Sequence, residues 1–142
     1  VEKTGQDVQE HLAAVTPARR RDDALVVLDI MREITGREPE MWSSGIVGFG
    51  TCQYRYPTGT EGLSGILGFA PRKASLTVYV FEGFDTHREA LAQLGPHTTS
   101  VSCLYIKDLS KVDLDILRGI LQRSYDWMLE GGSDGATLTI VD

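Results

Sequence analysis

Residues 45–50 read Gly45-Ile46-Val47-Gly48-Phe49-Gly50, an apolar run broken three times by glycine. The spacing is Gly-x-x-Gly-x-Gly. A dinucleotide-binding loop is G-x-G-x-x-G, placed after a strand and opening a helix. Here a strand pattern follows instead: Thr51-Cys52-Gln53-Tyr54-Arg55-Tyr56 alternates with period 2 and carries β-forming aromatics. These glycines therefore read as strand glycines, which mark a bulge or a close backbone approach, with approach to a ligand as the alternative.

The run also divides two kinds of pattern. Before it the period is helical. Val8, Leu12 and Val15 share one side of a short amphipathic segment. Thr16-Pro17 then restarts the chain, with Thr16 as N-cap and Pro17 at the first helical position. The next helix is expected from Ala18 to Thr35, with Val27, Leu28, Met31 and Ile34 as its core face and Gly36 as its left-handed stop. After it, residues 57–62 read as a loop. Residues 63–70 and 75–81 read as two strands joined through Pro71-Arg72-Lys73. A helix over 85–94 is capped by Asp85 and closed by Gly95-Pro96, a strand covers 101–106, and a last helix covers 112–129. Leu114, Leu117, Leu121, Tyr125 and Met128 form that helix's apolar stripe. Residues 130–135 read as a flexible break, and 136–141 as an edge strand or a segment that pairs with a neighbouring molecule. The order lacks regular βα alternation. It predicts a single α+β domain over 1–142, with an antiparallel sheet of four to five strands and about four helices, mainly on one face.

Composition narrows the function classes. A chain of 142 residues is one domain's length. Twenty acidic against fourteen basic residues give a net charge of −6, which disfavours a phosphate backbone as partner. The longest apolar stretch is a few residues, far below the ~20 that span a bilayer, so no membrane partner is expected. Two cysteines, Cys52 and Cys103, make neither a CxxC nor a zinc spacing to His11, His87 or His97. They read as reduced thiols, and a cytoplasmic location is expected.

Several residues are candidates for chemistry. Trp42 stands just before the glycine run, as a lid on the core or a wall facing a ligand. Tyr54 and Tyr56 share a strand face with Cys52, and Tyr79 is positioned to join them, as packing residues or as an aromatic surface. Arg72 and Lys73 put two cations in one strand connection, either a solvated turn or a carboxylate or phosphate holder. Asp22, Asp29 and Glu33 project within about 40° of one another on their helix, a solvated face or an oxygen-ligand set for a divalent cation. Cys103 reads as a structural thiol or a nucleophile, with His97 six positions before it and Lys107 four after.

Taken in order, several blocks resemble the YdhG-like family, a bacterial domain of unknown function, over residues 20–124. The blocks are Arg21-Asp22 leading to Thr35-Gly36, then Glu40-Met41-Trp42, the glycine run, Tyr54-x-Tyr56 and Gly59. They continue with residues 68–73, Leu76, Tyr79, Leu94-Gly95 and residues 102–107. The resemblance implies a compact intracellular α+β domain. One family member has been described as a frataxin-like iron chaperone, so iron enters as the implied cargo. The segment before Cys103, lysine-rich in the family, here reads Gly95-Pro96-His97-Thr98-Thr99-Ser100-Val101. Any anion site built on it would fall to Arg72, Lys73 and Lys107. The function expected first is thus a non-enzymatic domain binding a small anionic molecule through Trp42, Tyr54, Tyr56, Arg72, Lys73 and Lys107. The alternatives are an iron-binding accessory protein using Asp22, Asp29 and Glu33, and a thiol enzyme using Cys103.

Overall fold

The computed structural model describes residues 2–132 and 137–141. The part of the proposed flexible break at 133–135, and position 136, lie outside the described residues. Among those described, the fold is α+β, with four α-helices, a six-stranded antiparallel sheet and a three-stranded one. None of the helices is long and apolar enough to cross a membrane.

The helices are α1 (Val8–Ala13), α2 (Ala18–Thr35), α3 (Arg88–Leu94) and α4 (Leu114–Leu129). Asp7 caps α1 by accepting from the Glu10 N–H, and Asp113 caps α4 by accepting from Asp115 and Ile116. Gly36 ends α2 at φ 64°, a conformation that glycine adopts without a Cβ penalty. Two capping expectations fail. Thr16 does not cap α2, since Pro17 itself occupies the N-cap position and no side chain bonds there. Asp85 opens a 3₁₀ turn (Asp85–His87) rather than capping a helix, and α3 begins only at Arg88.

The strands are β1 (Pro39–Trp42), β2 (Ile46–Phe49), β3 (Cys52–Arg55), β4 (Glu61–Ser64) and β5 (Leu67–Pro71), followed by β6 (Leu76–Tyr79), β7 (Thr98–Thr99), β8 (Cys103–Ile106) and β9 (Thr137–Ile140). The large sheet runs β1-β2-β5-β6-β8-β7 and the small one β4-β3-β9. This is more than the four to five strands expected in one sheet: β1 and β7, not expected as strands, add the two edges of the large sheet, and a double corner sends β3 and β4 into a second one. β2 to β5 is one long hairpin that bends midway. Gly50 turns at φ 73°, where an added Cβ would lie 2.6 Å from the Ile66 side chain. Opposite it, a Cβ on Gly65 would lie 2.8 Å from the Leu67 carbonyl oxygen. Both corner positions need a residue with no side chain. The single strand expected at 63–70 is therefore two strands in two sheets. The expected loop also ends early, with Glu61 and Gly62 already in β4. The tail strand β9 pairs with β3 of its own chain.

α2 and α4 cover one face of the large sheet. Val47, Phe69, Val78 and Leu104 stand side by side across β2, β5, β6 and β8 on that face, all fully buried. The start of α2 is pinned to the end of β8. The buried Arg20 donates from Nη1 to the Lys107 carbonyl at 2.9 Å, and Asp23 accepts from the Leu109 N–H at 3.1 Å. The guanidinium Nη1 and the carboxylate are hydrogen-bonded, which offsets most of the cost of burial, while Arg20 Nε is buried without a partner.

Candidate functional site

On the other face the residues of β2 and β5 are small, with tyrosines on β6 and β8. Gly48, Gly68, Tyr79 and Cys103 form one row across the sheet, and Ala70, Thr77, Tyr105 and Thr98 form the next. No helix is needed to fill this face, and it holds two concavities.

The first is a cleft of about 190 Å³ walled by Trp42, Ile46, Tyr79 and Phe81 over a floor that includes Gly48 and Gly68. Ser64 and Ser102 stand in its wall, and no charged side chain does. Trp42 is held down because position 48 is glycine. A Cβ there would lie 2.4 Å from the indole Nε1. The indole is 2% exposed, and its N–H is buried with no hydrogen-bond partner. A buried donor left unpaired costs on the order of 1–3 kcal/mol. Lys3 sits 5.6 Å from the centre of the same indole and pairs with Glu40 at 3.0 Å.

Arg72 stands beside this cleft. Its Nη1 donates to the Ser44 carbonyl at 2.6 Å and its Nη2 to the Tyr79 hydroxyl at 3.5 Å. It braces the turn at Ser44, whose φ is +64°. A guanidinium has five N–H donors, so two bonds leave capacity for an anion. Lys73, next in the turn, is exposed and lines neither concavity.

Tyr54 and Tyr56 do not join Trp42. The corner at Gly50 carries them into the small sheet. There Tyr54 packs on Tyr56 with ring centres 5.7 Å apart and on Phe81 at 6.0 Å, and Phe81 continues to Trp127 at 6.1 Å. Only Phe81 of this chain of rings reaches the cleft. The six residues expected in one pocket are thus not brought together: Trp42 and Arg72 meet at the cleft, Tyr54 and Tyr56 go with the small sheet, Lys73 stays in the exposed turn and Lys107 lies in a separate groove, because strand alternation fixes a face but not which sheet a strand enters.

Lys107 lies at the opposite end of the open face. It lines a groove of about 460 Å³ with Ser75, His97, Thr98, Tyr105 and Lys111. Asp108 is also in its wall. Hydrogen bonding from Ser110, first from its side chain, holds the Asp108 carboxyl below the usual carboxylate range, with smaller pulls from Arg19 and Lys111.

Asp22, Asp29 and Glu33 are all exposed. Asp29 faces Arg32 at 3.6 Å and Glu33 faces Arg118 at 2.7 Å. Among the described residues no three His, Cys, Asp or Glu side chains are placed to share a metal ion. The ridge does not fit a resident iron site.

The two thiols differ. Cys52 is fully buried, and burial pushes its thiol up from an ordinary value of 9.0. Cys103 is half-buried on the open face, opposite Tyr79. His97 is not its base: its Nδ1 is held by the Gly95 carbonyl at 2.7 Å, and its ring lines the far groove.

Sequence reasoning missed one buried polar cluster. Glu82 accepts from the Ser124 hydroxyl at 2.7 Å and bonds His87 Nε2 at 2.9 Å, and His87 Nδ1 is buried without a partner. The carboxylate stands between the serine and the histidine. Ser124 donates to Glu82 rather than to an imidazole base, so the cluster lacks the nucleophile–base contact of a triad. It ties α4 to the segment after β6. Isolated polar letters 42 positions apart carry no sequence signal for it.

No family model, curated protein or solved structure matches this chain.

Proposed function

We propose that this chain is a non-enzymatic binding domain for a small anionic molecule, of YdhG-like type. The ligand lays a flat apolar body in the glycine-floored cleft and directs its anionic group toward Arg72. The observation that carries this reading is the unpartnered, buried Trp42 N–H in the wall of an otherwise apolar cleft. A ligand that offers an acceptor there satisfies the donor, while the glycines allow a ring to approach the backbone. The geometry around Cys103 and Ser124 supports binding over thiol or serine chemistry. Iron handling is carried only by the family resemblance and has no favouring cluster among the described residues.

Anilinonaphthalene sulfonate, an aromatic ring system bearing one anion, is the direct probe. It binds saturably with a rise in emission and a change in tryptophan fluorescence. Ser102→Phe fills the cleft wall and weakens binding at least about tenfold, the scale of one charged or well-placed hydrogen bond and its packing. Arg72→Ala weakens it by about 1.5–3 kcal/mol if the sulfonate meets the guanidinium. Affinity unchanged by Ser102→Phe rejects the cleft as the site.

A further inference from the structure

The groove at the far end of the open face is assigned no role by the cleft reading, and its chemistry is different. Along β6 the two sites are separated by the four-residue step from Tyr79 to Ser75, roughly 13 Å at strand rise. The cleft has no charged wall, whereas the groove has two lysines. Neither Lys107 nor Lys111 has an ion pair within 4.0 Å among the described residues, although the chain carries an excess of six negative charges. The groove's carboxylate, Asp108, feels Lys111 only weakly and is held mainly by other partners. It accepts from the Ser110 N–H at 3.0 Å and the Ser110 hydroxyl at 2.6 Å, and it pairs with Arg19 at 3.4 Å. Neutral donors stand beside the lysines. Ser75 is buried in the groove's lining, and Thr98 is on the neighbouring edge strand. His97 is fixed in the groove wall by donating Nδ1–H to the Gly95 carbonyl.

From this arrangement we propose that the groove between the 72–75 turn and residues 96–111 is a second, separate site for a phosphoryl-type oxyanion. Lys107 and Lys111 supply the charge, and the Ser75 and Thr98 hydroxyls supply neutral donors. Lysine serves such ligands as a point charge, and several oxygens allow one anion to meet several donors. A groove of about 460 Å³ is larger than one phosphate needs, so linked phosphoryl groups fit better than an isolated one.

Inorganic pyrophosphate and inorganic phosphate are the probes, followed by titration calorimetry and by amide shifts of residues 96–111. Pyrophosphate is expected to bind more tightly than phosphate. Lys107→Ala and Lys111→Ala each weaken it about tenfold, the order of one charge-assisted hydrogen bond. Both lysines are exposed, so the variants are expected to fold. Ser102→Phe, which fills the cleft, leaves pyrophosphate binding unchanged and so separates failure of this site from failure of the cleft. The proposal is overturned if pyrophosphate does not bind, if the double lysine variant binds it equally well, or if sodium chloride at matched ionic strength moves the same amides.

Discussion

Val47, Phe69, Val78 and Leu104 cross four strands on the helix-covered face; one residue along each strand, Gly48, Gly68, Tyr79 and Cys103 cross the same strands on the open face. The first row is large, aliphatic or aromatic, and fully buried. The second is two glycines, a tyrosine and a half-buried thiol. Strand pairing is identical for both rows, so the difference lies in side chains alone. One row provides packing energy. The other leaves space, and the space is shaped by Trp42 lying on Gly48. Packing and the proposed binding cleft therefore lie on opposite faces of one sheet.

This division is testable by substitution. The largest effect belongs to the covered row. Phe69→Ala leaves a cavity beneath α2 and should cost about 3–5 kcal/mol, read from the urea midpoint. A cost below about 1 kcal/mol would mean that the two faces are not so different.

An intermediate effect belongs to Gly48→Ala. The new methyl meets the indole at 2.4 Å, so Trp42 must move. The expected cost is about 1–3 kcal/mol for overpacking, with a red-shifted tryptophan emission as the indole leaves its buried seat. An unchanged spectrum would show that Trp42 is not seated on Gly48.

The smallest effect compares the thiols. In the native protein, one equivalent of maleimide should react at Cys103 while Cys52 stays protected, and both should react in urea. Burial raises the native Cys52 value above that of the unfolded chain. The native state therefore holds this proton more tightly. That contribution to stability is fully present below the ordinary thiol value and is lost as pH rises through the native one. Cys52→Ala should remove this alkaline slope, and Cys103→Ala should not.

Much of the fold was legible in local pattern. The extent of α2 and its stop at Gly36, the helix ending at Leu129, and the hairpin across residues 71–75 follow from 3.6- and 2-residue periods and from glycine and proline placement. The α+β class follows from their order. The site was legible only in fragments. Trp42, Arg72 and Lys107 each stood out for their chemistry, but no local signal showed that Lys107 lies in a separate groove from the other two. Phe81, Ser102 and Lys111 gained meaning only once the strands were paired. The polar bonds of Arg20 and Asp23 to residues 106–109 span about 86 positions, beyond any local pattern.

By itself, the sequence determined where the chain turns helical or extended, because backbone sterics, caps and side-chain alternation act over a few residues. Tertiary structure alone decided that the hairpin from β2 to β5 bends at Gly50 and Gly65 and sends Tyr54 to a second sheet. It also decided that Gly48 and Gly68 of neighbouring strands align into the floor of a cleft. Those outcomes depend on which strands meet and which face α2 and α4 cover, and that choice is made by burying the larger row.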